Sequence, residues 1–379
     1  RRAPNSPIVV MTVVLFEHGM GKFREAGDGP EVPWHQAVVQ TLDQAWSDFE
    51  ALQGLERPDF IEYVPITYDQ IFREYLSEIA DAADRVQQYM PSQEMRDVVE
   101  VLQDVGQEQR PFFWENIMDV LDYRYGAERF RYVHATIARV IAAKATSVLA
   151  QPSGGNASFS VISHSLGTAA VHGALNRLGG GNVGASAAFR MGGAFRIRSY
   201  VALANVSRVL WYGEHDMYRG TIVRPFTPNL GRGYVDQFIN VQHVADPIPA
   251  PQPFAPTDWG SAYQAIALQH VRKINVHDFT HYLEHPAVSG AFFRSVLGGD
   301  AFLTAEEVRA AAAAYPDVAL GDENKRAQVE KLIAGLAKTL KDTYGSDQAL
   351  LWSLPKLLAC AVRDMITHRE ALRPLLEAT

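Results

Sequence analysis

Cysteine is almost absent from this sequence, which contains one cysteine, Cys360, among 379 residues. A single cysteine cannot form an intrachain disulfide or a cysteine-based metal site, so the fold does not depend on an oxidising compartment. The sequence also lacks a run of about 18 apolar residues that could span a bilayer, and its start lacks the pattern of a secretion signal. We therefore expect a soluble, cytoplasmic protein without a transmembrane segment.

An excess of basic residues is also missing. The chain has 35 Lys and Arg residues against 43 Asp and Glu residues, which gives a formal net charge of −8 at pH 7. Because nucleic-acid-binding proteins present a basic field, we expect no nucleic-acid partner. With 47% hydrophobic and 21% charged residues, the composition instead predicts a folded chain with one large or two modest domains.

Short apolar, β-branched runs alternate with helical patterns along residues 11–300. Because strands that alternate with helices favour a mostly parallel sheet, this region is predicted to be one α/β domain. A helical insertion is expected at about residues 69–150, before the strand that leads to Ser165. Residues 1–10 precede a methionine that suits an initiator, and they are interpreted as a leader segment. Strands are predicted at 13–16, 60–68, 159–162, 200–204, 209–212, 238–244 and 266–276.

Residues 301–379 are predicted to form an all-helical C-terminal extension that docks on the core. Thr304 and Glu307 match a capping box, the reciprocal pair of side-chain bonds that begins a helix. Further along, apolar residues recur at helical spacing between Val329 and Leu340 and again between Leu354 and Ile366. Such a face is more often docked on a core than presented to a membrane or a partner.

The segment Ile162–Thr168 carries the clearest chemical signal. It places Ser165 between an apolar strand and a helix with small residues, and a strand-to-helix turn holds a serine hydroxyl exposed on strained backbone. Gly167 supplies a small residue that such a turn needs, whereas Ser163 stands where the usual pattern has its first glycine. The helix that starts at Leu166 directs free N–H groups and the positive end of its dipole at Ser165, which suits an oxyanion formed during acyl transfer.

This His-Ser-Leu-Gly turn, combined with the early His18-Gly19 loop, resembles the α/β-hydrolase superfamily, and within it the lipases and esterases. The resemblance covers roughly residues 12–296 and rests on five short segments. It implies an α/β-hydrolase fold and an oxyanion hole formed by the backbone N–H groups of Met20 and Leu166. For His18 itself we expect a role in orienting the loop rather than in catalysis.

The acid of such a site should follow the serine in the chain and precede the histidine. Asp246 follows the apolar run 238–244 and precedes Pro247, a segment similar to the Asp-Pro-Ile/Val of lipase-like relatives. Asp216 also resembles an acid-bearing strand end and stays the alternative. We predict Asp246 as the acid, because the better-formed strand precedes it and turn prolines fix its direction.

Three histidines compete for the role of the base. His277 is predicted to be the base, because it follows the last predicted strand, where the superfamily places its catalytic imidazole. His281, one helical turn later, reaches the same face and is the alternative, while His285 is interpreted as a surface or capping residue. A metal cluster of the three is a further alternative, but the glutamate of a His-Glu-x-x-His site is missing. We therefore expect a site without a metal or a cofactor.

Together these residues predict ester hydrolysis by a triad of Ser165, Asp246 and His277 through an acyl-enzyme intermediate. The expected substrate is a small-molecule ester or a lipid, and aromatic residues of the insertion such as Phe112 and Phe113 either line an acyl pocket or fill the core. A competing hypothesis is a non-catalytic binding or scaffold protein with the same fold, because a fold alone does not prove chemistry.

Overall fold

The structure, a computed structural model, has a six-stranded sheet at its centre. It describes residues 12–17, 34–53, 55, 58, 61–66, 127–151, 157–180, 195–210, 235–244, 246, 249, 253–256, 259–270 and 277–315. The strands in chain order are β1 (Thr12–Glu17), β2 (Ile61–Ile66), β3 (Ser158–His164), β4 (Ile197–Leu203), β5 (Val235–His243) and β6 (Tyr263–Leu268). They lie in the order β2-β1-β3-β4-β5-β6, and each neighbouring pair is parallel.

The strand order reverses at β1, the second strand of the sheet, because β2 and β3 lie on opposite sides of it. In an open parallel sheet, a crevice forms at the carboxyl ends of the strands beside such a reversal. The carboxyl ends of β1 and β3, at Glu17 and His164, therefore mark the edge of the sheet where a site is expected.

Strand β1 is apolar because both of its faces are covered. In β1, Val13 and Leu15 belong to one core cluster, whereas Val14 and Phe16 belong to the other. All 7 residues of β3 are buried. Strands buried on both faces form continuous apolar runs, and this is the pattern by which the sequence identifies them.

Helices form the outer two of three layers. They are α1 (Trp34–Trp46), α2 (Ala127–Leu149), α3 (Leu166–Gly180), α4 (Ser207–Leu210), α5 (Phe279–Glu284), α6 (Pro286–Leu297) and α7 (Ala305–Ala314), with short 3₁₀ helices at Glu50–Leu52 and Gly260–Ala262. One core cluster joins α2 and α3 to the sheet, and the other joins α1, α5, α6 and α7 to the opposite face. The prediction of an α/β fold with a mostly parallel sheet flanked by helices is confirmed.

Two glycines allow close contact between neighbouring helices. A Cβ on Gly173 of α3 would lie 2.2 Å from Cε1 of His134 on α2, so the imidazole packs against bare backbone. A Cβ on Gly290 of α6 would lie 2.6 Å from Cγ2 of Val308 on α7. Both distances are far below van der Waals contact, so a larger residue at either position would prevent the two helices from packing this closely.

The strand predicted at 209–212 is wrong over its described part, because residues 207–210 form helix α4. The chain leaves the sheet at Ala204, whose φ is 47°, instead of continuing as a strand. Asn205 Oδ1 then accepts a hydrogen bond of 3.0 Å from the N–H of Ser207, which begins a helical turn.

The strand predicted at 266–276 is confirmed at residues 266–268 but not at 269–270, and residues 271–276 lie outside the described residues. The observed strand, β6, begins at Tyr263 and ends at Leu268, and residues 269–270 are not in a strand. Its end is set by its neighbour, because Leu268 pairs with His243, the last residue of β5. Val244, the residue after β5, still donates its N–H to the carbonyl of Leu268 at 2.9 Å.

Other predictions fall partly outside the described residues. Helix α2 lies in the predicted insertion. The capping box of α7 is confirmed. The Thr304 hydroxyl accepts from the N–H of Glu307, and the Glu307 side chain accepts from the N–H of Thr304. The leader 1–10, the aromatic part of the insertion and residues 316–379 lie outside. No helix in the described part of the chain is long and apolar enough to cross a membrane.

Candidate active site

Ser165 forms the corner between β3 and α3. Its φ is 52°, in the left-handed region that is strained for a residue other than glycine. The N–H of Ser165 donates to the carbonyl of Leu203 on β4 at 3.0 Å. Its own carbonyl accepts from the N–H of Thr168 at 2.9 Å and from the Thr168 hydroxyl at 2.6 Å. These bonds on both sides of the residue hold the strained corner in place.

Ser163, which stands in place of the usual glycine, has a structural partner. It is fully buried, and its hydroxyl donates to Tyr200 Oη at 2.9 Å. Tyr200 Oη in turn donates to the carbonyl of Thr168 at 3.1 Å, in the first turn of α3. The departure from the common pattern therefore adds a hydrogen-bonded link between β3, β4 and the helix that follows Ser165.

Leu166 is the first residue of α3, directly after Ser165. The N–H groups of the first helical turn have no partner within the helix, and they carry the positive end of its dipole. The structure thus places the Leu166 N–H beside Ser165. Met20, the second predicted oxyanion donor, lies outside the described residues.

The imidazole of His277 lies between Ser165 and Asp246. His277 Nε2 is 2.8 Å from Ser165 Oγ, and His277 Nδ1 is 2.7 Å from Asp246 Oδ2. A carboxylate accepts only, so Nδ1 carries the proton and Nε2 accepts from the Ser165 hydroxyl. The three side chains are buried, with 4%, 2% and 0% exposure for Ser165, His277 and Asp246, so the exposed hydroxyl that the sequence predicts at Ser165 is not observed. Among the described residues, these three side chains form one hydrogen-bonded chain that is largely shielded from bulk water.

The acid and the histidine each follow the carboxyl end of a strand in the chain. The N–H of Asp246 donates to the carbonyl of His243 at 3.0 Å, so the acid sits in a turn directly after β5. His277 lies nine residues after Leu268, the end of β6 (277 − 268 = 9). It immediately precedes Asp278, whose side chain caps α5 by accepting from the N–H groups of Thr280 and His281.

The alternative candidates lie elsewhere or outside the described residues. The His281 ring packs near that of His243, with 5.3 Å between centroids. His285 is the N-cap of α6, where its Nδ1 accepts from the N–H of Ala287 at 3.2 Å. The histidines at 277, 281 and 285 thus contact different partners rather than one point. Asp216 lies outside the described residues.

Two ring side chains that the sequence does not mark as functional, those of Tyr282 and His164, contact the site. Tyr282 on α5 donates its hydroxyl proton to Asp246 Oδ2 at 2.7 Å. The His164 ring lies 4.8 Å from that of His277 and stacks on Phe279 at 5.1 Å, measured between centroids. A buried tyrosine needs a partner for its hydroxyl, and this requirement is the only sequence signal for Tyr282.

The buried carboxylate determines the electrostatics of the site. Removing a charge from water is costly unless hydrogen bonds compensate it, and Asp246 accepts from both His277 and Tyr282. Burial, followed by the adjacent Asp246 charge, raises the pKa of Tyr282 well above its ordinary value of 10.0. Tyr282 therefore keeps its proton and remains a donor across the neutral pH range.

Comparison with known proteins gives no match: no protein-family model, no curated protein and no solved structure matches the chain. The fold and the site define the chain only as an α/β protein with a buried serine, histidine and aspartate in one hydrogen-bonded chain. What this arrangement does must therefore be argued from its own geometry.

Proposed function

We propose that the protein is a serine hydrolase of the α/β-hydrolase superfamily that cleaves carboxylic esters. The observation that carries the proposal is the hydrogen-bonded chain from Asp246 through His277 to Ser165. Two further features support it. The serine occupies a strained strand-to-helix corner, and the residues follow one another in the order serine, acid, histidine.

In the proposed reaction His277 Nε2 takes the hydroxyl proton while Ser165 Oγ attacks the ester carbonyl carbon. The tetrahedral intermediate collapses, the bond to the alcohol oxygen breaks, and His277 returns the proton to the departing alcohol. Water then attacks the acyl-enzyme with His277 again as base, which releases the acid and restores Ser165. Asp246 holds Nδ1 protonated and stabilises the imidazolium that forms in each half-reaction.

The oxyanion of each tetrahedral intermediate requires donors that are already in place. The N–H of Leu166 at the start of α3 is proposed as one donor, supported by its position next to Ser165. The N–H of Met20 is proposed as the other. No cofactor takes part in the proposed reaction, and the proposed substrate is a small-molecule ester or a lipid. Hydrolysis rates for p-nitrophenyl esters from acetate to palmitate, with and without micelles, distinguish these two substrate classes.

The test of the proposal is the variant Ser165→Ala. It should lose ester hydrolysis by a factor on the order of 10⁶, because the members of such a triad act as a unit. A fluorophosphonate probe should label the wild-type protein at Ser165 and leave the variant unlabelled. The measurement is the turnover of p-nitrophenyl acetate together with mass spectrometry of the labelled peptide.

Ser289→Ala is the matched control, because Ser289 is also fully buried but lies on α6, where its hydroxyl donates to the carbonyl of His285. It should keep wild-type activity and labelling. Wild-type turnover in Ser165→Ala would refute the assignment. A folded wild-type protein that takes no label at Ser165 would favour the non-catalytic scaffold instead.

A further inference from the structure

Tyr282 is a fully buried side chain whose hydroxyl sits behind the triad. Its Oη donates to Asp246 Oδ2 at 2.7 Å and accepts from the backbone N–H of His243 at 3.2 Å. The hydroxyl thus joins α5 to the end of β5 and to the acid that follows it. The hydroxyl bonds to Asp246 and His243 rather than to Ser165 or His277, so its effect on the reaction passes through Asp246.

The same carboxylate oxygen accepts two hydrogen bonds. Asp246 Oδ2 lies 2.7 Å from His277 Nδ1 and 2.7 Å from Tyr282 Oη. Each donor draws on the negative charge of that oxygen, and a hydrogen bond to the charged form of an acid stabilises that form. The tyrosine hydroxyl therefore weakens the attraction that the carboxylate exerts on a protonated His277.

We propose that Tyr282 is a positioning residue that holds Asp246 in place and limits how strongly Asp246 stabilises protonated His277, and so sets the lower pH limit of the reaction. The inference rests on the proposed function, because it concerns the base of that reaction. With the hydroxyl present, the carboxylate stabilises the imidazolium less, and the enzyme stays active further into the acidic range.

Other titratable groups surround the pair and act equally in the wild-type protein and in a Tyr282 variant. The His164 ring lies against His277, and the His243 ring lies 6.4 Å from that of Tyr282. A difference between the two proteins therefore reports on the hydroxyl. Asp278 and His281 flank Tyr282 on α5, and Glu17 at the end of β1 pairs with Ser163 on β3.

The test is the pH dependence of two rates in Tyr282→Phe, which keeps the ring and removes the hydroxyl. The rates are kcat/KM for p-nitrophenyl acetate and the second-order rate of fluorophosphonate labelling at Ser165. The acidic limb of both profiles should move to higher pH by about 0.5–1 unit, and the plateau should fall by no more than about tenfold. Tyr263→Phe is the control, because it removes a hydroxyl that donates to the carbonyl of Phe254, away from the triad.

A double variant separates positioning from a merely structural role. If Tyr282 acts through the charge of Asp246, Tyr282→Phe should change the residual rate of Asp246→Asn by less than about twofold. A structural tyrosine would instead lower the rate by the same factor in both backgrounds. Equal factors overturn the proposal.

A second substitution keeps the proposal testable if Tyr282→Phe does not fold. Placing 3-fluorotyrosine at position 282 makes the hydroxyl a stronger donor and should move the acidic limb to lower pH. An unshifted limb in the substituted protein, while the wild-type protein is labelled at Ser165, overturns the role of Tyr282 and leaves the hydrolase intact. A wild-type protein that is not labelled at Ser165 overturns both.

Discussion

Lowering the pH from 8 to 5 is expected to destabilise the protein through two buried histidines, His134 on α2 and His172 on α3. Burial, followed by the charge of Arg177, lowers the pKa of His134 to about 4. Burial, followed by the neighbouring His134, lowers the pKa of His172 to about 3. His172 Nε2 accepts from Asn176 Nδ2 at 3.0 Å.

The direction of this pH effect follows from a comparison of proton binding in the folded and unfolded chains. In the unfolded chain both imidazoles take up protons below their ordinary pKa of 6.5, whereas in the folded protein they stay neutral until the pH approaches 4. The unfolded state therefore binds more protons, and the free energy of unfolding falls as the pH drops through this window. At pH 5 the linkage relation gives a loss of about 2 kcal/mol for each histidine. The combined loss is a large part of the ~5–15 kcal/mol by which domains are stable.

The assay is urea unfolding at pH 8, 7, 6 and 5 in the wild-type protein and in His134→Phe. Phenylalanine keeps a flat ring against Gly173 but cannot be protonated, so the loss between pH 8 and pH 5 should shrink by about half. Tyr132→Phe, an exposed substitution on the same helix, is the control and should keep the wild-type loss. An unchanged loss in His134→Phe would refute the reasoning.

Two further substitutions test the packing of α7 and the choice of base. Gly290→Ala should destabilise the protein by about 1–3 kcal/mol in urea unfolding, because its Cβ would lie 2.6 Å from Val308 Cγ2. Val308→Ala in that background should recover most of the loss, and an unchanged midpoint in Gly290→Ala would contradict the close contact. His277→Asn should lower kcat/KM for p-nitrophenyl acetate by a factor on the order of 10⁶, whereas His281→Asn should stay within about tenfold of wild type. Equal losses in the two variants would contradict the assignment of the base.

The corner at Ser165 could be predicted because its signals are local. A strand buried on both faces is rich in apolar residues, and β3 supplies Phe159, Val161 and Ile162 shortly before the serine. The helix that follows begins with Leu166 and Gly167 and continues with small buried residues. Both patterns are properties of neighbouring residues, so the sequence alone contains them.

The ends of elements were harder to predict, because partners far along the chain determine them. The last strand stops at Leu268 where its neighbour β5 stops, although apolar residues continue beyond it in the sequence. The apolar residues after Ser207 form a helix rather than a strand, since Asn205 starts a turn there. A short apolar run fits either element, and only the surrounding structure decides between them. The contact of Tyr282 with Asp246 crosses 36 residues and is equally invisible in the sequence.

A second strained residue, directly after the neighbouring strand β4, helps to fix the position of Ser165 relative to Asp246. Ala204 follows β4 and has a φ of 47°, close to the 52° of Ser165. Ser165 donates its N–H to Leu203 on β4, and Ala204 donates its N–H to Val241 on β5, each at 3.0 Å. The inter-strand ladder therefore continues one residue beyond the ends of β3 and β4 and fixes both strained residues. Because β5 leads directly to Asp246, this ladder sets the position of the nucleophile relative to the acid.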